Sequence, residues 1–442
     1  MSLPRYPEYK DSGVEWLGEV PAHWEVTRFQ RCVEVAEGQV DPEDPRYSAM
    51  PLIAPNHVES GTGRLLGVES ANEQGAESGK YLCRAGDVVY SKIRPALRKV
   101  CIALEDCLCS ADMYPLRAHS GMSNAFLLWW MLSEQFSSLA VLDSQRVAMP
   151  KINRESLKEV MLVAPPLAEQ AYIAEFLDRE TAKIDVLVFE QQRLVEVLKE
   201  KRQAVISHAV TKGLDPSVVM KDSGIEWLGE VPAHWEVVAL KRIADVNTGV
   251  AKGKDLAGRS TITVPYLRVA NVQDGYLDLD DVATIEIGED ELDRYALKPG
   301  DVLMNEGGDF DKLGRGCVWE GQISPCITQN HVFAVRPWRV SPSWLNVVSS
   351  SAYAQFYFMM RSKQSTNLAS ISSTNLMELA VALPPPAEQR AIVAQIDRDT
   401  SRIDALIAEA TRGIDLLQER RTALIAAAVT GQIDVRPRAR KT

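Results

Sequence analysis

Several things are scarce in this 442-residue chain, and each scarcity excludes something. Cysteine is sparse and odd in number, seven residues without a Cys-x-x-Cys pair, so neither a disulfide framework nor a common zinc pattern is supported. The one cluster, Cys107 and Cys109 with Cys101 and His119 nearby, has poor ligand spacing and reads as reduced core thiols. No run of eighteen apolar residues occurs, and the start, MSLPRYPEYK, lacks the apolar core of a signal peptide. A cytoplasmic protein without a membrane partner is therefore expected. Catalytic signatures are missing too. There is no GxxxxGK[ST], since Gly249 to Lys254 is too short and Asp255 follows, and no HExxH or GxSxG. The Asn/Asp-Pro-Pro-Tyr loop of amino-methyltransferases is absent. Gly307-Gly308-Asp309 has no helix after it to make a phosphate cradle. The text reads as a binder, with no catalytic residue and no metal or cofactor site.

Positive charge is also short, at a net of −11. Nine acids and no base lie between Asp274 and Asp293, however, and without that stretch the chain stands at −2. One local acidic segment produces most of the sign, so the total does not exclude a polyanionic partner.

What is present is repetition. Residues 10–26, KDSGVEWLGEVPAHWEV, recur at 221–237 with one change, Val14 against Ile225, at a displacement of 211. A second pair begins at Ala164 and Leu383 and runs without a gap to Thr211 and Thr430, at a displacement of 219. Such self-similarity decides the architecture before any local reading. The short repeat packs Asp-Ser-Gly, two tryptophans and a proline into an aromatic-pinned segment. His23 and His234 within it have no carboxylate beside them and read as packing residues.

The stretches between the repeats have diverged. In the first, Gly86-Asp87-Val88-Val89-Tyr90 and Val100 to Leu104 read as strands, and Asn124 to Leu142 as one buried helix. The second echoes this with Gly300-Asp301-Val302-Leu303, Gly316 to Trp319 and a helix from about Ser343 to Met360. Each ends in prolines, Pro165-Pro166 or Pro384-Pro385-Pro386, which open a helix whose first turn holds Ala-Glu-Gln.

Both closing helices carry heptads. Leu177, Ile184, Gln191, Leu198 and Val205 are seven apart, as are Ile173, Glu180, Leu187, Leu194, Lys201 and His208. Their counterparts are Ile396, Ile403, Ala410, Leu417 and Leu424 beside Ile392, Asp399, Leu406, Gly413, Arg420 and Ala427. At 1.5 Å per residue, about forty residues make a rod of roughly 60 Å, and the other copy is the obvious mate. An antiparallel register with indices summing to about 600 sets Glu180 against Arg420 and Lys201 against Asp399, whereas parallel pairing sets like charges together. The expected fold is α+β: two mixed α/β domains separated by a pair of long antiparallel coiled-coil helices, with internal pseudo-two-fold duplication. The expected segments are 1–163, helix 164–213, 214–382, helix 383–433 and a basic tail 434–442.

The paired WLGEVPAHW segments, the two Gly-Asp-Val elements, the Pro-Pro-x-Ala-Glu-Gln openings and the Ile-Asp repeats at 184–185 and 403–404 are together specific. In this combination the whole chain resembles the DNA-specificity subunits of type I restriction–modification systems. The resemblance implies two target-recognition domains that each read half of a bipartite, asymmetric DNA site. It implies helices acting as a ruler between them. It also implies docking of two modification (methyltransferase) subunits and of restriction/translocase subunits. S-adenosylmethionine, ATP and Mg are then expected on those partners, with adenine N6 as the methylated atom. The rival reading is a solitary scaffold that binds the methyltransferase without productive DNA recognition.

Candidate DNA contacts follow from side-chain chemistry. Lys92, Arg94, Arg98 and Lys99 follow the first Gly-Asp-Val with no acid among them, suited to phosphates or guanine. Asn305, Lys312 and Arg315 follow the second, and Asn305 suits adenine. A second polar loop precedes each closing helix: Gln145-Arg146, and Lys363, Gln364, Thr366 and Asn367. Asn56 and Asn271 occupy matched places and read as a shared turn.

Overall fold

In a computed structural model of the chain, residues 4–144, 150–253, 256–308, 313–364 and 369–437 are described. They form two compact units, residues 1–192 with 412–442, and residues 193–411. Each unit thus takes part of both long helices, which span Leu167–Lys212 and Pro386–Val429.

The first unit opens with a small ribbon in which Tyr9–Asp11 pairs antiparallel with Glu19–Pro21. Trp24, fully buried, pins this ribbon to the core. The next strand, Glu25–Arg28, pairs with Met161–Ala164, the last strand before the long helix. Two four-stranded sheets lie between. One has the order Val33–Val35, Met113–Ala118, Val88–Ser91, Val100–Ile102, all antiparallel. The other runs Gln39–Val40, Lys80–Cys83, Cys107–Cys109, Leu52–Ile53, with the last pair parallel.

The second unit repeats the plan. Met220–Asp222 pairs with Glu230–Pro232, and Glu236–Ala239 with Ala380–Leu383. Ala244–Thr248, Val332–Pro337, Val302–Asn305 and Gly316–Val318 make the four-stranded sheet. The second sheet has three strands, Ala283–Gly288, Thr261–Leu267 and Ile327–Thr328.

The repeated Gly-Asp-Val now has a cause. Gly86 and Gly300 adopt φ of 87° and 94°, a turn that a side chain would strain. The aspartates are buried, accept the backbone N–H three residues earlier, and bind an arginine from the next strand. Arg117 donates to Asp87 at 3.1 Å, and Arg336 to Asp301 at 2.7 Å.

Two expectations about helices need correction. The runs expected as single helices are each broken in two: Asn124–Leu132 then Glu134–Ser144, and Pro342–Ser349 then Ala352–Arg361. Ser133 and Ser351 stand at the breaks, and each hydroxyl accepts a backbone N–H of the following helix, from Phe136 and Ala354. Serine is a strong N-cap, and the capped turn outweighs continuing the helix. All seven cysteines are free and buried. Cys83, Cys101, Cys107 and Cys109 line one small apolar core, while His119 is exposed and bonds Ser120.

Within each unit the long helices run antiparallel, but not in the expected register. Ile173, Ala174 and Leu177 share a core with Ile425, Ala428 and Val429, and Asp185 binds Arg421. In the second unit Ile206, Ala209 and Val210 share a core with Ile392 and Ile396, and Arg202 binds Asp404. Paired indices therefore add to 606 in each unit. Neither Glu180–Arg420 nor Lys201–Asp399 forms. Glu180 binds Arg179 and Lys183, Asp399 lies near Arg402, and Arg420 and Lys201 are exposed.

One heptad series is buried or half-buried as expected: Leu177, Ile184, Gln191, Leu198 and Val205, with Ile396, Ile403, Ala410, Leu417 and Leu424. The other is buried as expected at Ile173 and Ile392, but further along the first helix it turns inward one residue later, at Thr181, Val188, Val195, Arg202 and Ala209. Leu187, Leu194 and Leu406 consequently face solvent, at 50%, 44% and 56% exposure. No single helix among the described residues is long and apolar enough to cross a membrane.

Candidate nucleic-acid interface

In both units the loop after Gly-Asp-Val meets the loop that precedes the closing helix. In the first, Ile93 bridges Lys151, Arg94 N–H donates to Pro150 O at 2.9 Å, and Ile152 N–H donates to Lys92 O at 3.0 Å. In the second, Gly307–Gly308 pairs with Ala369–Ser370, which pairs in turn with Lys363–Gln364. The described ends of the two loops thus meet in each domain, although about sixty residues separate them in sequence.

The four bases of the first loop have different fates. Arg94 and Arg98 both adopt left-handed φ, 48° and 46°, on either side of the single turn Pro95–Leu97. Pro95 is buried and anchors the turn, leaving Arg94 exposed. Lys92 is half-buried with its ammonium 5.2 Å from the ring of Tyr114, which Arg154 also approaches at 4.9 Å. Lys99 donates its ammonium to Pro55 O at 2.6 Å. Arg98 borders a cavity of about 430 Å³ with Arg64 and Arg421. Arg94 is therefore the most freely presented of the four.

In the second domain Asn305 is buried at 3% exposure and its amide donates to Val272 O at 3.0 Å. Its place is inside the fold, so the expectation that it reads adenine is corrected. It shares the strand face of Leu303, which packs with Val272 in a small core, so its side chain points into the fold. Arg315 is half-buried beside a cavity of about 520 Å³. Lys363 is exposed, and Gln364 contributes its backbone to the small sheet. Gln145, Arg146, Lys312, Thr366 and Asn367 lie outside the described residues.

The shared turn is made by Asn271 in the second unit, as expected, and by His57 instead of Asn56 in the first. Asn271 accepts the N–H of Arg268, closing a one-turn helix, and His57 does the same for Ala54 N–H. Asn56, one position earlier, is exposed.

Sequence reading also missed a set of framework contacts that recur in both units. Glu169 accepts from the indole of Trp24 at 3.0 Å and sits 2.7 Å from His23; Glu388 accepts from Trp235 at 3.0 Å and sits 2.8 Å from His234. The histidines do have carboxylate partners, 146 and 154 residues away. Gln170 and Gln389 are buried, each donating to a proline carbonyl and accepting the N–H of Ser123 or Ser341. Asp185 and Arg421 are the third contact, and Asp404 and Arg202 its repeat. A signal for these was available, because a shift of 219 carries Asp185 onto Asp404 and Arg202 onto Arg421.

Comparison with known proteins agrees with this geometry. The profile of the family described as "Type I restriction modification DNA specificity domain" matches residues 22–197 and 232–411. The chain is similar to the EcoDI type I restriction enzyme specificity subunit of Escherichia coli, at 35% identity over 53% of this chain and 48% of that one. It thus spans about half the length of that relative. Among solved structures, a chain from a study titled "Structural basis underlying complex assembly and conformational transition of the type I R-M system" superposes with a TM-score of 0.73 at 18% identity, covering 93% of this chain and 98% of that one. The HsdS subunit from Thermoanaerobacter tengcongensis superposes with a TM-score of 0.50, also at 18% identity and with the same coverage. At that identity the likeness is one of fold.

Proposed function

Because the chain belongs to the type I restriction–modification DNA specificity family, we propose that it is a non-catalytic DNA-recognition subunit. Each domain reads one half of a bipartite, asymmetric duplex site, and the long helices set the distance between the halves. Two modification subunits dock on the chain and methylate adenine N6, and restriction/translocase subunits join them. S-adenosylmethionine, ATP and Mg belong to those partners, and the assembly is cytoplasmic.

One observation carries this reading. The framework contacts repeat residue for residue in both units, while the surface they hold up does not repeat. Asp87–Arg117 matches Asp301–Arg336, and Trp24–Glu169 matches Trp235–Glu388. The paired loops they support read SKIRPALRK at 91–99 and NEGGDFDKLGR at 305–315. A protein that must meet one partner twice and two base sequences once each needs this division. Exposed apolar side chains support the docking role: Leu187 and Leu406 are equivalent under the shift of 219, as are Val197 and Leu416, and all four face solvent.

Methylome sequencing of a host carrying this chain and its modification subunit tests the proposal. Methylation at a two-part motif with a fixed gap is expected. Methylation at a single undivided motif, or assembly with the methyltransferase but no methylation and no binding to random duplex DNA, would overturn it.

A further inference from the structure

The strongest unassigned feature is a polar clamp that ties each domain to its helices. In the first unit the guanidinium of Arg421 donates to Asp185 at 3.0 Å, to Gly61 O at 2.7 Å and to Thr62 O at 3.4 Å. From the loop side, Arg64 donates to the other oxygen of Asp185 at 2.7 Å. Asp185 stands on the first long helix and Arg421 on the second, so one carboxylate and one guanidinium gather both helices and loop 59–64. The pair is well buried, at 14% and 12% side-chain exposure. Burial pushes the pKa of Arg421 down, as do nearby Arg64 and Arg98, and Asp185 opposes them.

Beside the clamp a cavity separates part of the loop from the helices. The cavity of about 430 Å³ between them is lined by Thr62, Phe189 and Gln418 among others. The apolar core that domain and helices share lies toward the helix ends, at Ile173, Leu177 and Ile425, and beside the cavity it is the directed hydrogen bonds that join loop to helices.

The second unit builds the counterpart with the equivalent residues. Arg202 donates to Asp404 at 2.9 Å and approaches Asp274, in the loop equivalent to 59–64, at 3.9 Å. The adjacent Gln203 donates to Ser350 O at 2.7 Å. Again a cavity, about 520 Å³, opens between loop and helix.

We propose that Arg421 with Asp185, and Arg202 with Asp404, are positioning residues that fix the orientation of each recognition domain on the helices and thereby the gap accepted between half-sites. The inference rests on the DNA-recognition reading above. Its physical basis is the pitch of the duplex. About 10–10.5 base pairs make a full turn, so adding one pair to the gap rotates the far half-site by roughly 35°. The shared apolar core at the helix ends keeps each domain attached, and the clamp braces it about that attachment, so a braced domain rejects that rotation and one that has lost the brace tolerates it.

The test is selection of bound sites from a random duplex library by the full chain with its modification subunit. Wild type should return two half-sites at one gap length. Arg421→Ala should return the same half-site bases, with adjacent gap lengths enriched about tenfold over wild type. Arg421→Lys, which keeps the charge but not the fork, should be intermediate, and Arg193→Ala, at an exposed position of the first long helix, should behave as wild type. Should Arg421→Ala fail to fold, Asp185→Asn serves, since it keeps the volume and weakens the acceptor. Unchanged gap selectivity in a folded clamp variant, or altered half-site bases, would overturn the positioning role. Absence of any two-part site with the wild-type complex would instead overturn the recognition reading on which it rests.

Discussion

The indole N–H of Trp24 donates to the carboxylate of Glu169 at 3.0 Å across 145 residues of sequence. Glu169 also accepts from Tyr6 at 3.2 Å and receives Arg436 at 3.3 Å, so it joins the opening segment, the long helix and the last described residues of the chain. Its counterpart Glu388 binds Trp235 and His234. Glu169→Ala leaves a buried indole and hydroxyl unpaired and should cost about 3 kcal/mol in unfolding free energy. Glu388, whose side chain is 30% exposed, should cost less on the same change. Thermal unfolding of the two variants beside wild type checks the order.

Asp301 is fully buried and bound by Arg336 at 2.7 Å through both oxygens. Removing one partner of a buried pair strands the other, so Asp301→Ala should destabilise the second unit by about 3 kcal/mol. Asp87→Ala should do the same to the first. Hydrogen exchange read separately over residues 302–337 and 88–118 would show each loss confined to its own unit.

The buried thiols predict a dependence on pH. Burial pushes Cys32 up to about 11, and Cys101, Cys317 and Cys326 to about 12, with a further small rise at Cys101 from Cys107. In the unfolded chain a thiol ionises near pH 8.5. Above that value the unfolded state binds fewer protons than the native state, so stability should fall as pH rises toward 11 and be unaffected by these groups below about 8. A denaturation series with pH checks the sign, and a thiol reagent at pH 8 should label the native chain slowly and the unfolded chain at all seven cysteines.

Arg94 is exposed on a turn anchored by buried Pro95. Arg94→Ala should weaken DNA binding, and if it meets a phosphate the salt dependence should drop by about 0.9 in log–log slope. Binding of the modification subunit should be retained. Filter binding across a salt series, with co-purification as the second readout, separates the two; equal loss of both would remove Arg94 from the DNA surface.

Leu187 and Leu406 are exposed apolar residues on opposite copies of the helix. Leu187→Glu and Leu406→Glu should leave the melting temperature unchanged and reduce co-purification of the modification subunit at least about tenfold, as expected for a charge placed in an apolar contact. Retained co-purification in both variants would move the docking surface elsewhere.

Much of this was legible in the residues alone. Two copies at displacements of 211 and 219 determine a duplicated molecule, and heptad spacing determines paired helices. Gly-Asp-Val marks the same strand in each half because only glycine suits the turn and only a carboxylate suits the arginine beyond it. What the residues alone left open is which of two adjacent positions faces inward. Successive residues on a helix differ by about 100°, so a shift of one replaces Leu187 by Val188 and Arg420 by Arg421 while leaving the spacing intact. That choice, like the burial of Asn305 and the carboxylates that meet His23 and His234, depends on surfaces brought together from more than a hundred residues away or from neighbouring strands. Local pattern counts periods; only the packed units decide their phase.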